Sequence, residues 1–429
     1  MTFKSLASTA LAIARQTVKP VLLSLYLLLV TTFFLFCLFE LFPSLLKPIN
    51  LQGIRYYAQL AEYLADPTLV FVPRQINKVV SAVDFRGDAY SPSFGVEVSP
   101  IDYHASYTHT GFRTNSSTPP FEVLVIGDSY VEFGESDDST LSELLKQESA
   151  LSTLNLGRAW YGPPQYLEVF KRYGQGTKAQ YAILAFFSGN DAEDTRQYIR
   201  WQRGGEGGDY YSFVVGRSNF FIRYLHAFRD TYVAIRDWGK RHAKGRSEPS
   251  SMAMANVEIP KEIHPDVGMI RLNGRLVPMY FSYWNQHATS TEFLEREEWK
   301  RIRAIIAEFK TLAIQSMIVP IVVFIPTKLE VYGSLFDQHS GSRFLSKIHE
   351  QLQFEMNTSE SLEAVCQEQR LHIVNLLPSF KALARQGEKL YHPFDTHWNL
   401  TGRTVAAEIL AKSIGAARQS TNLAPEVLR

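Results

Sequence analysis

The sequence predicts an α/β protein, a three-layer α/β/α sandwich around a mostly parallel sheet, with an N-terminal transmembrane helix and an inserted segment. Three observations carry this. Apolar runs without polar alternation, at 121–127, 181–187 and 318–325, read as strands buried on both faces. Stretches of helical periodicity separate them, as parallel pairing requires. Far upstream, residues 20–39 contain no charged side chain.

Taken in order, residues 1–19 hold Lys4, Arg15 and Lys19 and no acidic residue, whereas Glu40 directly follows the apolar run. This bias keeps the N-terminus cytoplasmic and sends the rest of the chain outward. A run of about 20 apolar residues is enough to cross hydrocarbon, and the span is assigned to 20–42. No small-x-small site follows it, so the helix is expected to stay as an uncleaved anchor in the inner (cytoplasmic) membrane. Residues 43–120 alternate amphipathic pieces with turn formers such as Asp66-Pro67, Ser91-Pro92-Ser93 and Ser116 to Pro120, and read as a stalk and cover.

The main domain is expected over 121–415. Its first strand ends at Gly127, and a helix follows over 139–149. Further strands are expected at 151–156, 181–187, 318–325 and 372–377, and helices at 165–173, 298–315 and 400–414. The section 194–299 breaks the rhythm and is read as an insertion. It holds a Gly-rich turn at Gly204 to Gly208, a basic stretch at Lys240 to Arg246, aromatic pairs such as Tyr210-Tyr211, and a hairpin at Asn273-Gly274. Residues 416–429 form a tail.

Composition limits the chemistry. The 429 residues are 45% hydrophobic, ample for a core, and 44 Lys+Arg against 43 Asp+Glu leave a net charge of +1, which gives no field to gather nucleic acid. Cys37 and Cys366 have no credible mates, so no disulfide framework is expected. The 11 histidines show no ligand spacing, and neither metal nor cofactor is expected. Gly174-Gln-Gly176 begins a dinucleotide-like string, but it leads from helix to strand, the reverse of the required order.

Three clusters sit where such a sheet presents its working groups, beyond the carboxyl ends of strands. Gly127-Asp128-Ser129 can expose a hydroxyl above the sheet. Ser188-Gly189-Asn190-Asp191 follows the 181–187 strand and offers an amide to an oxyanion. Asp395-Thr396-His397-Trp398-Asn399 precedes a helix and pairs an imidazole with a carboxylate. Each also has an ordinary reading: a helix N-cap, an Asx turn, and a histidine at a helix entry with Asn399 as cap. Their coincidence at separate strand ends favours chemistry.

These strings resemble the SGNH (GDSL) esterase and acyltransferase superfamily. Gly127-Asp128-Ser129 is similar to its first block, Asn155-Leu156-Gly157 to the second, Gly189-Asn190-Asp191 to the third, and Asp395 with His397 to the last. Thr110-Gly111-Phe112-Arg113 is similar to an element that precedes the first block in bacterial members. The resemblance implies a flavodoxin-like sheet, Ser129 as nucleophile, His397 as general base and Asp395 as its orienting carboxylate. It also implies an oxyanion hole from the Ser129 and Gly157 N–H groups and the Asn190 side chain. The last block departs from the usual two-residue spacing, with Phe394 in the usual aspartate's place, so Asp395 must reach the imidazole along an extended segment. The Asp-x-His-Trp string is similar to one in alginate-type O-acetyltransferases, which place it ahead of the serine. Pro326-Thr327-Lys328 with Tyr332 is similar to a segment of that subgroup. Lys328 is either a ligand for an anionic or carboxylate-bearing substrate or a solvated lysine.

The expected activity is hydrolysis or transfer of an acyl ester, acetyl first, on a cell-envelope or secreted carbohydrate. The expected partners are that substrate, the membrane and polysaccharide-assembly proteins. The alternative is a non-catalytic carbohydrate-binding or assembly subunit with a weakened triad.

Overall fold

The computed structural model describes residues 20, 22–35, 37–38, 63–66, 69–73, 79–85, 101–108, 110–113, 117–159, 161–204, 267–281, 294–393 and 395–423. The chain divides into two compact units, residues 1–63 with 211–246, and residues 64–210 with 247–429. In the first, residues 22–35 are helical, and large apolar side chains from Leu22 to Leu35 are exposed. No helix among the described residues is long and apolar enough to cross a membrane. The expected span of 20–42 runs past them, with residues 39–42 outside the described set.

The second unit is built on five parallel strands: β1 (Val123–Gly127), β2 (Thr153–Gly157), β3 (Tyr181–Phe187), β4 (Val319–Ile325) and β5 (His372–Asn375), in the order β5-β4-β3-β1-β2. Read from the other edge this is 2-1-3-4-5, the flavodoxin-like order, whose switch point lies between β1 and β3. Strands β1 and β3 are buried along their whole length, as their unbroken apolar runs require. Register pairs Gly127 with Gly157, so β1 and β2 end level with each other.

Helices connect and cover the strands. The short α1 (Ser129–Glu132) follows β1 at once, and α2 (Leu141–Ser149) completes the crossover to β2, its N-terminus capped by Thr140. Then come α3 (Pro163–Val169), α4 (Asp191–Arg203) and α5 (Glu297–Gln315). They are followed by α6 (Lys328–Tyr332), α7 (Ser342–Glu368), α8 (Leu377–Arg385) and α9 (Leu400–Leu423). Helix α9 lies against α2, while α5 lies against α3, α4 and α7. These are two helical layers on one sheet.

Several boundaries differ from expectation. The helix expected over 165–173 begins at Pro163, where proline suits the first turn, and passes into a π-helical turn at Phe170–Gly174. Helix α4 runs to Arg203, so the insertion starts inside a helix rather than in a loop. The 27-residue α7 has no counterpart among the expected elements. The Asn273-Gly274 hairpin is present as Val267–Leu272 against Arg275–Tyr280, with both turn residues at positive φ. The Gly205 to Gly208 part of the Gly-rich turn, the basic stretch and Tyr210-Tyr211 lie outside the described residues, as do 424–429 of the tail.

Part of the segment read as stalk and cover docks on this unit. The strands Val79–Phe85 and Ile101–Ser106 pair antiparallel, and the His104 N–H donates to the Glu135 carbonyl at 2.7 Å. Arg113, of the Gly-Phe-Arg string, is buried and donates to Asp137 Oδ1 at 2.7 Å, the His104 carbonyl at 2.8 Å and the Gly134 carbonyl at 3.2 Å. That string clamps the hairpin to the loop after α1.

Candidate active site

The three clusters converge at the carboxyl end of the sheet. Ser129 is the first residue of α1, reached through Gly127 and the cap residue Asp128, whose Oδ1 accepts the Tyr130 N–H at 2.8 Å. The N-cap reading of Gly-Asp-Ser therefore holds as well, with Asp128 as the cap. Small residues make the turn possible, because α1 sits hard on the strand ends. A Cβ at Gly157 would lie 2.5 Å from Val131 Cβ and 2.7 Å from Glu132 N.

Ser129 Oγ lies 2.8 Å from His397 Nε2, and His397 Nδ1 lies 2.5 Å from Asp395 Oδ1. A carboxylate only accepts, so Nδ1 carries the proton and Nε2 is left to accept from the serine hydroxyl. Residues 395–397 do not form the extended segment that the sequence suggested. They make a bend in which Asp395 Oδ1 also accepts the His397 backbone N–H at 2.8 Å. This Asx-type turn brings a carboxylate two residues upstream onto the ring, so the one-residue spacing is accommodated. Phe394 lies outside the described residues.

Packing holds the imidazole in place. The Phe133 ring stacks on it at 5.2 Å between centroids, and the Tyr130 ring lies 5.0 Å away on top of Phe187. The Tyr130 hydroxyl donates to the Thr396 carbonyl. Burial works against the charged imidazolium, yet the Asp395 carboxylate more than offsets it and raises the His397 pKa. For Asp395 burial acts to raise the pKa, but the His397 charge and hydrogen bonds hold it down to about 2. Desolvation pushes buried Asp128 up to about 6.

Asn190 is the N-cap residue of α4 but makes no side-chain cap bond, so the Asx-turn reading of this cluster fails. Its neighbour Asp191 fixes the turn instead, accepting the Tyr166 hydroxyl at 2.7 Å and the Phe187 N–H at 3.0 Å. The Asn190 Oδ1 is buried without a hydrogen-bond partner. The Ser129 N–H, at the first helical position, has no intrahelical acceptor. Both groups sit beyond the ends of the adjacent strands β1 and β3.

Gly157 departs from the expected oxyanion set. Its N–H donates to Asn155 Oδ1 at 2.9 Å, because the buried Asn155 amide turns back along β2 after its Nδ2 binds the Val131 carbonyl at 3.0 Å. The next two N–H groups are also committed, Arg158 to the Gly127 carbonyl at 3.0 Å and Ala159 to Glu132 Oε2 at 2.6 Å. Of the three expected donors, Gly157 is therefore the one whose N–H is already committed.

Lys328 is not a solvated lysine. It is 4% exposed, and its Nζ donates to the carbonyls of His392 at 2.7 Å and Pro393 at 3.0 Å. Sequence reasoning also missed Glu135, which binds Arg403 and His392 beside the triad loop. A Gly-Glu-Ser string gives no hint of such a role. Among the described residues no group of three or more His, Cys, Asp or Glu side chains could hold a metal.

No family model and no curated protein matches this chain. Solved structures similar to it include a protein assigned to the lipolytic G-D-S-L family from Desulfitobacterium hafniense DCB-2 (10% identity, 68% of this chain and 98% of that one, TM-score 0.35). An acetyl xylan esterase matches at 8% identity over 68% of this chain and 99% of its own, with a TM-score of 0.35. An acetylxylan esterase from Geobacillus stearothermophilus matches at 9% identity over 70% and 95%, with a TM-score of 0.34. The chain is similar to these at low identity, and its chemistry is read from its own Ser129, His397 and Asp395.

Proposed function

We propose that this chain is an SGNH-type serine esterase or O-acyltransferase that acts on acyl esters, acetyl first, of a cell-envelope or secreted carbohydrate. The observation that carries it is the continuous path of short contacts from Ser129 Oγ through His397 to Asp395. Ser129 Oγ attacks the ester carbonyl while His397 Nε2 takes its proton. The oxyanion forms against Ser129 N–H and the Asn190 amide. His397 then returns the proton to the departing alkoxide, leaving an acyl-serine. Water or a sugar hydroxyl gives its proton to His397 and takes the acyl group, which restores the serine.

The N-terminal run is proposed as a single-pass anchor over 20–42 that holds the domain on the outer face of the inner membrane, beside polysaccharide-assembly proteins. The uncharged stretch at 20–39 and the exposed leucines and phenylalanines of 22–35 support this. Recovery of the full chain in the soluble fraction after cell breakage would remove the anchor from the proposal.

The catalytic reading is tested with a fluorophosphonate and an acetyl ester. The wild-type chain is expected to be labelled at Ser129 and to turn over the ester, and Ser129→Ala to do neither. An unlabelled wild-type chain, or turnover that survives in Ser129→Ala, would refute it. Removal of an acetyl group from Ser129 by water or by an added oligosaccharide then separates esterase from transferase.

A further inference from the structure

The string Pro326-Thr327-Lys328 and Tyr332 has no place in the mechanism above, yet it grips the loop that carries the Asp395–His397 pair at three levels. At the base, the Tyr332 hydroxyl donates to the Glu388 carbonyl at 3.1 Å and accepts the Leu390 N–H at 2.7 Å. In the middle, the Tyr391 hydroxyl donates to the Pro326 carbonyl at 2.5 Å. At the top, the buried Lys328 ammonium donates to the carbonyls of His392 and Pro393.

The platform itself is fixed. It follows the buried β4, and a reciprocal cap locks the start of α6: the Glu330 N–H donates to Thr327 Oγ1 at 3.1 Å and the Thr327 N–H to Glu330 Oε2 at 2.7 Å. The held loop is closed on its other side by the Tyr391–Trp398 bridge and by the His392 N–H, which donates to the His397 carbonyl at 3.1 Å. A position imposed on residues 392–393 therefore reaches His397 through backbone. An ammonium is a stronger donor to carbonyls than a neutral group, and burying it is costly unless such acceptors surround it.

We propose that Lys328 is a positioning residue: by tying the His392 and Pro393 carbonyls to the start of α6, its ammonium fixes the imidazole of His397 against Ser129. The proposal rests on the catalytic reading of the triad, and its test separates the two. The charged groups that face His397 are Asp395 on its own loop, Asp128 at the cap of α1, Glu132 at the end of α1, and Lys328 at the start of α6. Lys328 is the cation among them and opposes the imidazolium, so its removal raises the pH at which His397 loses its proton.

The full chain is compared as wild type, Lys328→Met and Tyr332→Phe. Three quantities are read: the rate of fluorophosphonate labelling at Ser129, KM for an acetyl ester, and the pH midpoint for carbethoxylation of His397 followed by mass spectrometry. Lys328→Met is expected to slow labelling by about 10²-fold, the scale of a misplaced catalytic group, to raise the His397 midpoint, and to leave KM unchanged. Tyr332→Phe removes a tether but no charge, so labelling slows while the midpoint stays. A folded Lys328→Met chain with wild-type labelling and midpoint overturns the proposal. So does a raised KM with both of those intact, which would make Lys328 a substrate ligand. If Lys328→Met yields no folded protein, Tyr332→Phe carries the test, and wild-type labelling in that folded variant overturns the platform. A wild-type chain unlabelled at Ser129 whose His397 midpoint still shifts in Lys328→Met would refute the catalytic reading and leave the positioning intact.

Discussion

Two loops of this protein repeat one local motif. Asp395-Thr396-His397 and Asp337-Gln338-His339 each place an aspartate two residues before a histidine. In each, one carboxylate oxygen takes both the histidine N–H, at 2.8 Å and 3.0 Å respectively, and the ring Nδ1. The tautomer-fixing geometry is therefore shared. The surroundings differ. The His397 side chain is 20% exposed, sandwiched by Phe133 and Tyr130, and its Nε2 meets Ser129; the His339 side chain is 49% exposed, and its aspartate is shared with Arg271. An Asp-x-His string builds an oriented imidazole by itself, but a base for catalysis needs a nucleophile delivered from elsewhere in the fold.

The largest test of this contrast removes the delivered partner. Ser129→Ala and His397→Ala should each lower ester turnover by about 10⁴-fold or more, while His339→Ala leaves it unchanged. A loss in His339→Ala equal to that in His397→Ala would break the comparison. Next comes the carboxylate. Asp395→Asn should cost on the order of 10⁴-fold in kcat, since the amide favours the wrong tautomer, and Asp337→Asn should cost nothing. Circular dichroism of both variants checks that each is folded.

A smaller effect is expected at the oxyanion. Asn190→Ala should lower kcat by about 10²–10³-fold with KM little changed. With the Gly157 N–H committed to Asn155, this loss should fall at the upper end, and a decrease under tenfold would show that another donor dominates.

The mildest effect is one of pH. His397 must be neutral to accept the serine proton, and its pKa is raised, so kcat/KM should fall as pH drops through a value above the ordinary 6.5. An acid limb centred below 6.5 would contradict the pairing with Asp395. Stability follows the depressed pKa of Asp395: its contribution is complete above 3.8 and is lost as pH falls towards about 2. Melting curves of wild type and Asp395→Asn should converge in that acidic window.

Much of this was legible in advance. The five strands were read from apolar runs too continuous for a half-exposed sheet, Ser129 and Asn190 from their places after such runs, and Asp395 with His397 from their string before the last helix. The cap of α9 was legible too, with Asn399 Oδ1 accepting the Gly402 N–H at 3.0 Å. Helix α7 was not, since its apolar residues are spread thinly among polar ones along Ser342–Glu368 and give no sharp stripe. The two carbonyls that Lys328 holds were not legible either, because a lysine after a strand looks the same in sequence whether its ammonium meets water or backbone.

The sequence by itself determined the strands, the Asn273-Gly274 turn and the pairing of Asp395 with His397, because each depends on burial periodicity or on atoms within a few residues of one another. Only the tertiary structure decided which of two equivalent Asp-x-His loops faces the serine, where the Gly157 N–H goes, and what Lys328 holds. Ser129 and His397 are 268 positions apart, and their contact depends on how β1, α6 and the loop before α9 pack. Local bonding sets what each group is able to do. Packing across the sheet's carboxyl edge sets which groups meet.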